Sequence, residues 1–174
     1  MADKIFALLE QKVWTAAAKD SVGLEAYYSE HKEEFMWGER VDATIFDCAN
    51  EAIAKEVRKA LKKKKTNAEI LAQFNTDSTY NVFIDQGLFL PGQNSNVDMM
   101  NKTVGIGENI LSSDGTVMFV KINSIVPPQP KTLKEARGYV ISGYQDQLEK
   151  QWMQELQSKY PVHIDQDVFN SMVK

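Results

Sequence analysis

The strongest local constraint on the fold is the dipeptide Asp114-Gly115, which lies between two apolar, β-rich runs. Asp-Gly in this setting predicts a hairpin closed by a two-residue type I′ turn. The run after the turn, Val-Met-Phe-Val-Lys-Ile at 117–122, is predicted to be the second strand of that hairpin. Alternating apolar residues at 41–47 predict a further strand. The chain therefore has to contain antiparallel β-structure.

Helix-start signals surround these strands. Asn50 precedes an amphipathic, lysine-rich segment and is predicted to cap it. Thr66 with Glu69, and Thr132 with Glu135, form the Thr-x-x-Glu pattern of a capping box. The helix that begins after Thr132 is predicted to be about 28 residues and roughly 40 Å long. Its apolar residues recur every four positions: Val140, Tyr144, Leu148, Trp152, Leu156 and Tyr160.

The two ends of the chain are predicted to be helical and to pack together. Two helices are predicted before residue 38, the second of them capped at Asp20-Ser21. They are the obvious partner for the apolar stripe of the long C-terminal helix. The Pro-Pro-Gln-Pro segment at 127–130 marks a boundary, because proline cannot donate to a β-ladder. The predicted domains are a helical segment at 1–38, a sheet-containing domain at 39–128, and a long helix with its tail at 129–174.

Composition and isolated reactive residues exclude several classes of function. A net charge of −4 argues against nucleic acid or an anionic membrane as the main partner, because both favour a basic surface. The four lysines at 62–65 are predicted to be a solvated helix end. Cys48 is the only cysteine, so no internal disulfide is possible. His31 and His163 have no companion at metal-ligand spacing, and no cofactor motif is present, so neither a metal nor a cofactor is predicted.

Between residues 40 and 126, the order of these segments resembles the parvulin family of peptidyl-prolyl isomerases, which have an FKBP-like fold. Ala-Gln-Phe-Asn-Thr-Asp-Ser at 72–78 is similar to the family's helix end and turn, with Asp77 where parvulins keep Asp or Cys. Gln-Gly-Leu-Phe at 86–89 looks like a reduced form of the Gly-Asp-Leu-Gly turn. Gly-Glu at 107–108 and the hairpin at 115–122 match two further motifs. The resemblance implies an α+β fold with an antiparallel sheet and covering helices.

The two histidines typical of parvulins are absent. Thr44 stands where the first would be, and Met118 stands where the second would be. The resemblance implies that Asp77 is a catalytic-site carboxylate and that Thr44 and Met118 lie on adjoining strands. The substrate-binding residues that it implies are Thr44, Phe89, Met100 and Met118. Read without the resemblance, Asp77 is an ordinary turn residue and Thr44 and Met118 are sheet packing, and both interpretations stay open.

The flanking segments look like those around the last parvulin-like domain of SurA-like periplasmic foldases of the Bacteroidetes. The similar segments lie at 13–14, 24–28 and 35–41 on the N-terminal side and at 132–137 and 147–152 on the C-terminal side. In such proteins these helices help to build a chaperone module, and the full chain carries a signal peptide and another parvulin domain. Since no signal-peptide pattern opens this sequence, the resemblance implies a fragment of a longer exported protein.

The function implied is that of a periplasmic folding factor which binds unfolded or extended polypeptides, outer-membrane proteins among them. Catalysis is expected to be weak or lost, because a Thr/Met pair cannot reproduce the hydrogen-bond network of two histidines. One alternative is an active peptidyl-prolyl isomerase that uses Asp77. Another is a structural or dimerisation module, and the oligomeric state is left open.

Overall fold

The computed structural model describes residues 2–162 and 166–172. Contacts divide the chain into two compact units, one formed by Met1–Met36 with Pro130–Lys174 and the other by Trp37–Gln129. We call the first the helical unit and the second the sheet unit, because the second holds a five-stranded sheet. The predicted α+β class is confirmed. The domain limits at 38 and 128 stay a prediction.

The sheet unit contains both helices and strands, whereas the helical unit consists mainly of helices. The helices are α1 Ala2–Leu9, α2 Thr15–Lys19, α3 Ser21–Glu30, α4 Glu51–Lys62, α5 Asn67–Phe74, α6 Ser95–Asp98, α7 Leu133–Lys159 and α8 Gln166–Met172. A π-helical turn at Glu10–Trp14 joins α1 to α2, and a 3₁₀ turn at Lys32–Glu34 follows α3. The strands are β1 Met36–Trp37, β2 Arg40–Cys48, β3 Val82–Phe89, β4 Gly105–Ile106, β5 Ile110–Leu111, β6 Val117–Val126 and β7 Gln129–Pro130. None of the described helices has the length and hydropathy that a membrane span needs.

The predicted helix starts are confirmed by their side-chain bonds. The Asn50 side chain accepts a hydrogen bond from the backbone N–H of Ile53 at 3.0 Å and so caps α4. Thr66 and Thr132 form complete capping boxes at the starts of α5 and α7. The long C-terminal helix is 27 residues, close to the predicted length.

The helical unit is held together by α3 and α7. The Tyr28 hydroxyl donates to the backbone carbonyl of Lys131 at 2.5 Å, and the Tyr144 hydroxyl donates to the Asp20 carboxylate at 2.8 Å. The backbone N–H of Gly23, followed by Tyr144, holds the pKa of Asp20 below its ordinary value. The predicted packing of the N- and C-terminal helices is therefore confirmed. One buried cluster of this unit consists of Leu24, Phe35, Ala136 and Val140.

The five-stranded sheet is antiparallel, with the order β3-β2-β6-β4 and with β5 also paired to β6. The register between β2 and β3 runs without a break from Val41–Phe89 to Cys48–Val82. Against β2, β6 has a bulge, because Asn123 is an extra residue between the partners of Asp42 and Ala43. β1 and β7 form a separate two-stranded pair.

The two faces of the sheet have different coverings, because side chains alternate along each strand. One face carries Phe46 and Phe119 and packs against α4 and α5. The other carries Ile45 and Val120 and packs against the one-turn helix α6, through Val97. We call these the α4 face and the α6 face.

The hairpin between β5 and β6 is present, but the two-residue type I′ turn predicted for it is wrong. The N–H of Ser112 donates to the carbonyl of Thr116 at 2.9 Å, which leaves a three-residue connection at 113–115. A type I′ turn needs positive φ at both central residues, and here only Gly115 has it, at +86°. Asp114 instead accepts hydrogen bonds from the backbone N–H and hydroxyl of Thr116 at 3.1 and 2.8 Å.

Candidate functional site

Three of the four predicted substrate-binding residues lie on the α6 face. Phe89, Met100 and Met118 are half-buried and pack against one apolar cluster. They come from β3, from the loop after α6 and from β6, so residues distant in sequence meet on one surface. The buried members of that cluster are Val41, Ala43, Ile45, Val97, Val120 and Ile122.

Met118 belongs to a row of side chains across the sheet. It lies opposite Asp47 on β2, and Asp47 lies opposite Phe83 on β3. Met118 and Asp47 are half-buried, whereas Phe83 is 71% exposed. The side-chain amide of Asn96, in α6, donates to the Met118 sulfur at 3.2 Å. Met118 is thus held by α6, while apolar surface remains exposed at the edge of the sheet.

A shallow groove lies at this end of the sheet. It has a volume of about 320 Å³, and its lining includes Asp47, Phe83, Thr116 and Tyr80. The Tyr80 side chain is 80% exposed. The groove therefore combines aromatic surface with the carboxylate of Asp47 and the hydroxyls of Tyr80 and Thr116, a composition suited to contact with a polypeptide.

The Met100 side chain occupies space that only a glycine leaves free. A Cβ atom built on Gly107 would meet the Met100 sulfur at 2.2 Å. The carbonyl of Gly107 accepts a hydrogen bond from the Arg58 guanidinium at 2.5 Å, and Arg58 also donates to the Asn109 side chain at 2.8 Å. Partial burial lowers the pKa of Arg58. The predicted Gly-Glu motif thus positions Met100 and ties its loop to α4.

The structure does not bring Thr44 into this group. Thr44 and Met118 lie on adjoining strands, as expected, but on opposite faces, because Thr44 pairs with Lys121 and Met118 pairs with Asp47. Thr44 is 2% exposed, and its hydroxyl accepts a hydrogen bond from the Asn123 amide at 3.1 Å. Met118 and Thr44 therefore cannot line one pocket on the surface of the sheet.

Asp77 lies in an exposed turn just before β3. The turn is closed by the N–H of Thr76, which donates to the carbonyl of Thr79 at 2.9 Å, and by a bond from the Thr79 N–H to the Thr76 hydroxyl at 3.1 Å. This placement fits the turn interpretation of Asp77. Its catalytic role stays a prediction.

The remaining reactive residues lie apart from the α6 face. Cys48 is fully buried on the α4 face, and burial raises the pKa of its thiol to about 11, so it is protonated at neutral pH. His31 belongs to the helical unit, where its ring stacks on Tyr27 with a centroid distance of 4.0 Å. His163 lies outside the described residues.

Three residues of this surface are not predicted from the sequence: Asn96, Asp47 and Phe83. The polar run Asn-Ser-Asn-Val-Asp at 94–98, with Val97 as its only apolar residue, was a usable signal for a short helix that Asn94 caps. No comparable signal marks Asp47 or Phe83, since both depend on the register between strands.

Residues 20–138 match the family model described as a PPIC-type PPIASE domain, which confirms the resemblance to parvulins. No curated protein sequence matches the chain. Among solved structures, the chain is similar to one of a pair of proteins, PEB4 and Cj1289, which are described as SurA-like chaperones of Campylobacter jejuni. The identity there is 16%, with 94% of this chain and 71% of that chain covered and a TM-score of 0.32.

PrsA from Bacillus subtilis is also similar, at 18% identity, with 86% of this chain and 60% of that chain covered and a TM-score of 0.34. The peptidylprolyl isomerase PrsA from Bacillus anthracis has 15% identity, with coverage of 82% and 71% and a TM-score of 0.35. At such low identities and TM-scores, these likenesses carry no functional conclusion for this chain.

Proposed function

The chain belongs to the family of PPIC-type PPIase domains, and on that premise we propose that it is a folding factor which binds extended segments of unfolded polypeptides. The observation that carries the proposal is the apolar lining of the α6 face. Phe89, Met100 and Met118 surround a cluster of small and branched aliphatic residues. Methionine side chains are flexible and polarisable, so they suit contact with many different sequences.

Efficient isomerisation is not part of the proposal, because Thr44 and Met118 replace the two histidines typical of parvulins. Residues 37–129 contain no histidine. The barrier to rotation about a peptide bond is about 20 kcal/mol. A surface that binds the cis, trans and twisted forms of that bond equally does not lower the barrier. On the α6 face, Met118 pairs with Asp47 across the strands, and the Asn96 side chain already donates to the Met118 sulfur.

The site of action we propose is the periplasm, with outer-membrane proteins among the clients. This part rests on the likeness of the flanking helices to those of SurA-like foldases. The proposed site residues are Phe89, Met100 and Met118, with Asp77 retained as the catalytic candidate in the isomerase alternative.

The test is exchange NMR on Xaa-Pro peptides, with the protein carrying ¹³C-labelled methionine methyl groups. We expect peptide to shift the signals of Met100 and Met118 without accelerating cis/trans exchange. Met118→Lys should weaken binding at least about tenfold, because it places a charge on the apolar face. Met153→Lys is the matched control, since Met153 is an exposed methionine on α7 in the other unit, and it should bind normally.

Two results would overturn the proposal. Accelerated exchange that Asp77→Ala removes would make the protein an active isomerase despite its missing histidines. The absence of any methionine shift, together with a mass that rises with concentration, would favour the structural or dimerisation module.

A further inference from the structure

β3 is an edge strand whose one β-partner within the described residues is β2. The backbone N–H of Ala49 donates to the carbonyl of Asn81 at 2.8 Å, so residue 81 faces the β2 side. Because this direction alternates along an antiparallel strand, every second residue from Val82 onward directs its N–H and C=O away from β2. The residues with outward groups are Val82, Ile84, Gln86 and Leu88.

Side-chain amides close this edge at both ends. Asn75 donates to the carbonyl of Val82 at 2.8 Å and accepts from its N–H at 2.9 Å, which imitates a neighbouring strand. At the other end, the Gln93 side chain accepts from the N–H of Leu90 at 2.9 Å, and the Gln93 N–H donates to the Leu90 carbonyl at 3.0 Å. Between these caps, the outward groups of three residues are left without a backbone partner in the described chain.

The open stretch lacks three of the features that protect edge strands, and its one charged residue is Asp85. Natural sheets protect their edges with lysine, proline or a bulge. Residues 82–89 contain no lysine and no proline, and their register with β2 is unbroken. Gln86 is exposed and Leu88 is 42% exposed, so the edge is accessible from solvent. A regular edge of this kind, with open backbone groups between two caps, can accept a further strand.

The one charged residue of β3 is acidic: residues 82–89 contain Asp85 and no lysine or arginine. From residue 66 to residue 101 the chain has no lysine or arginine, although seven of them lie at 55–65. The acidic residues of that stretch are Glu69, Asp77, Asp85 and Asp98. Asp85 lies in the middle of β3 and is exposed, so it can contact a side chain of a neighbouring strand.

We propose that the open edge of β3 at Ile84, Gln86 and Leu88 takes up an extended, cationic polypeptide segment as an additional strand. The proposal deepens the proposed function and rests on it, since it specifies how a client segment docks beside the α6 face. Main-chain hydrogen bonds supply affinity that is independent of client sequence. Alternate side chains of the segment would meet Phe83, Asp85 and Phe89, which share the α6 face.

A second copy of this chain is a poorer occupant than a client. Two copies paired through β3 would each place Asp85 on the same face of the combined sheet, and like charges close together oppose pairing. A segment that carries lysine or arginine meets the opposite situation. The charge therefore favours a client over self-association.

The experiment measures binding of a fluorescent peptide of about nine residues in which valine alternates with lysine and threonine. We expect Gln86→Pro to weaken binding at least about tenfold, because proline removes an outward N–H. Gln86→Thr is the matched control. Both variants lose the side-chain bond from Asn67 to Gln86, but only proline removes the backbone donor. Hydrogen exchange should slow at Ile84, Gln86 and Leu88 when the peptide binds.

A second arm does not depend on the folding of a variant. A copy of the peptide that is N-methylated through its centre cannot form the strand hydrogen bonds, and we expect it to lose most of its affinity for the unmodified protein. A copy with glutamate in place of lysine should bind several-fold more weakly, and added salt should reduce that difference.

The outcomes separate this proposal from the function on which it rests. Normal binding by Gln86→Pro and by the methylated peptide would overturn the edge proposal, while a methionine shift would keep the proposed function. If the unmodified protein bound none of the peptides, both the edge proposal and the proposed function would be overturned. Protection of the edge without peptide, with a mass that doubles on concentration, would make a second copy the occupant and overturn the choice of a client.

Discussion

The two faces of the sheet are built from neighbouring residues of the same strands, yet they differ in their side chains and in the elements that cover them. On the α4 face, Phe46 and Phe119 stack with ring centroids 5.0 Å apart, and Arg58 lies over the Phe119 ring at 4.3 Å. Two helices cover that face. On the α6 face, one helical turn and a loop cover aliphatic residues, and Met100 and Met118 stay half-buried.

The comparison teaches that the closed packing lies on the α4 face, whereas the proposed binding surface lies on the α6 face. Aromatic residues in a closed core are held in fixed positions, and their removal leaves cavities. Methionines at a partly exposed surface change conformation at little energetic cost. One sheet thus has a closely packed face that maintains the fold and a face with adaptable side chains, which is where we propose that clients bind.

The largest expected effect sharpens this division. Phe119→Ala should lower the free energy of unfolding by about 3–5 kcal/mol, because it leaves a cavity beside Phe46. Met118→Ala should lower it by about 1–2 kcal/mol, since the methionine is half-buried. Urea unfolding of both variants measures the difference. Equal losses would show that the α6 face contributes as much stability as the α4 face.

The next effect depends on pH. The buried thiol of Cys48 has a raised pKa of about 11 against an ordinary value of 9.0. Because the unfolded chain releases this proton first, the stabilising contribution is complete below pH 9 and is lost as pH rises to about 11. We expect the free energy of unfolding to fall by at most about 2 kcal/mol over this pH range because of Cys48. Urea unfolding of the protein and of Cys48→Ala at each pH measures this loss as a difference.

Alkylation supplies the control for that prediction. At pH 8, iodoacetamide should react with Cys48 only on unfolding, whereas Met118→Cys placed in a Cys48→Ala background should react in the folded protein. Rapid reaction of Cys48 in the native state would mean that the α4 face opens readily, against the comparison.

The smallest effect compares the caps of two helices. Thr66→Ala removes the capping box of α5, and Asn94→Ala removes the bonds that Asn94 accepts from the N–H groups of Asn96 and Val97 in α6. Each should cost about 1 kcal/mol in unfolding. Only Asn94→Ala should weaken peptide binding, because α6 holds Met118 through Asn96. Equal effects on binding would contradict the assignment of the site to the α6 face.

Local patterns predicted the helices of this fold well, because a cap and its helix lie within one turn of each other. Both Thr-x-x-Glu boxes, the Asn50 cap and the length of α7 follow from residues close in sequence. The packing of α7 against the N-terminal helices follows from its apolar stripe. The α+β class follows from the hairpin and its neighbours.

The face of the sheet on which each site residue lies could not be predicted from the sequence. In β2, residues of both alternations are apolar, with Ala43 and Ile45 on one face and Phe46 and Cys48 on the other, so periodicity does not assign Thr44 to either. The pairing that separates Thr44 from Met118 depends on a register set between distant strands. The hairpin turn was mispredicted for a local reason: Asp114 accepts a hydrogen bond from the N–H of Thr116 and does not adopt positive φ.

The amide caps of Asn75 and Gln93 give the β3 edge a beginning and an end. A strand added to an ordinary edge can slide by two residues and keep its hydrogen bonds. Here a slide in one direction meets the Asn75 amide at Val82, and a slide in the other meets Gln93 at Leu90. If a client segment docks at this edge as proposed, the two caps would fix its alignment through backbone contacts alone, without recognition of a side chain.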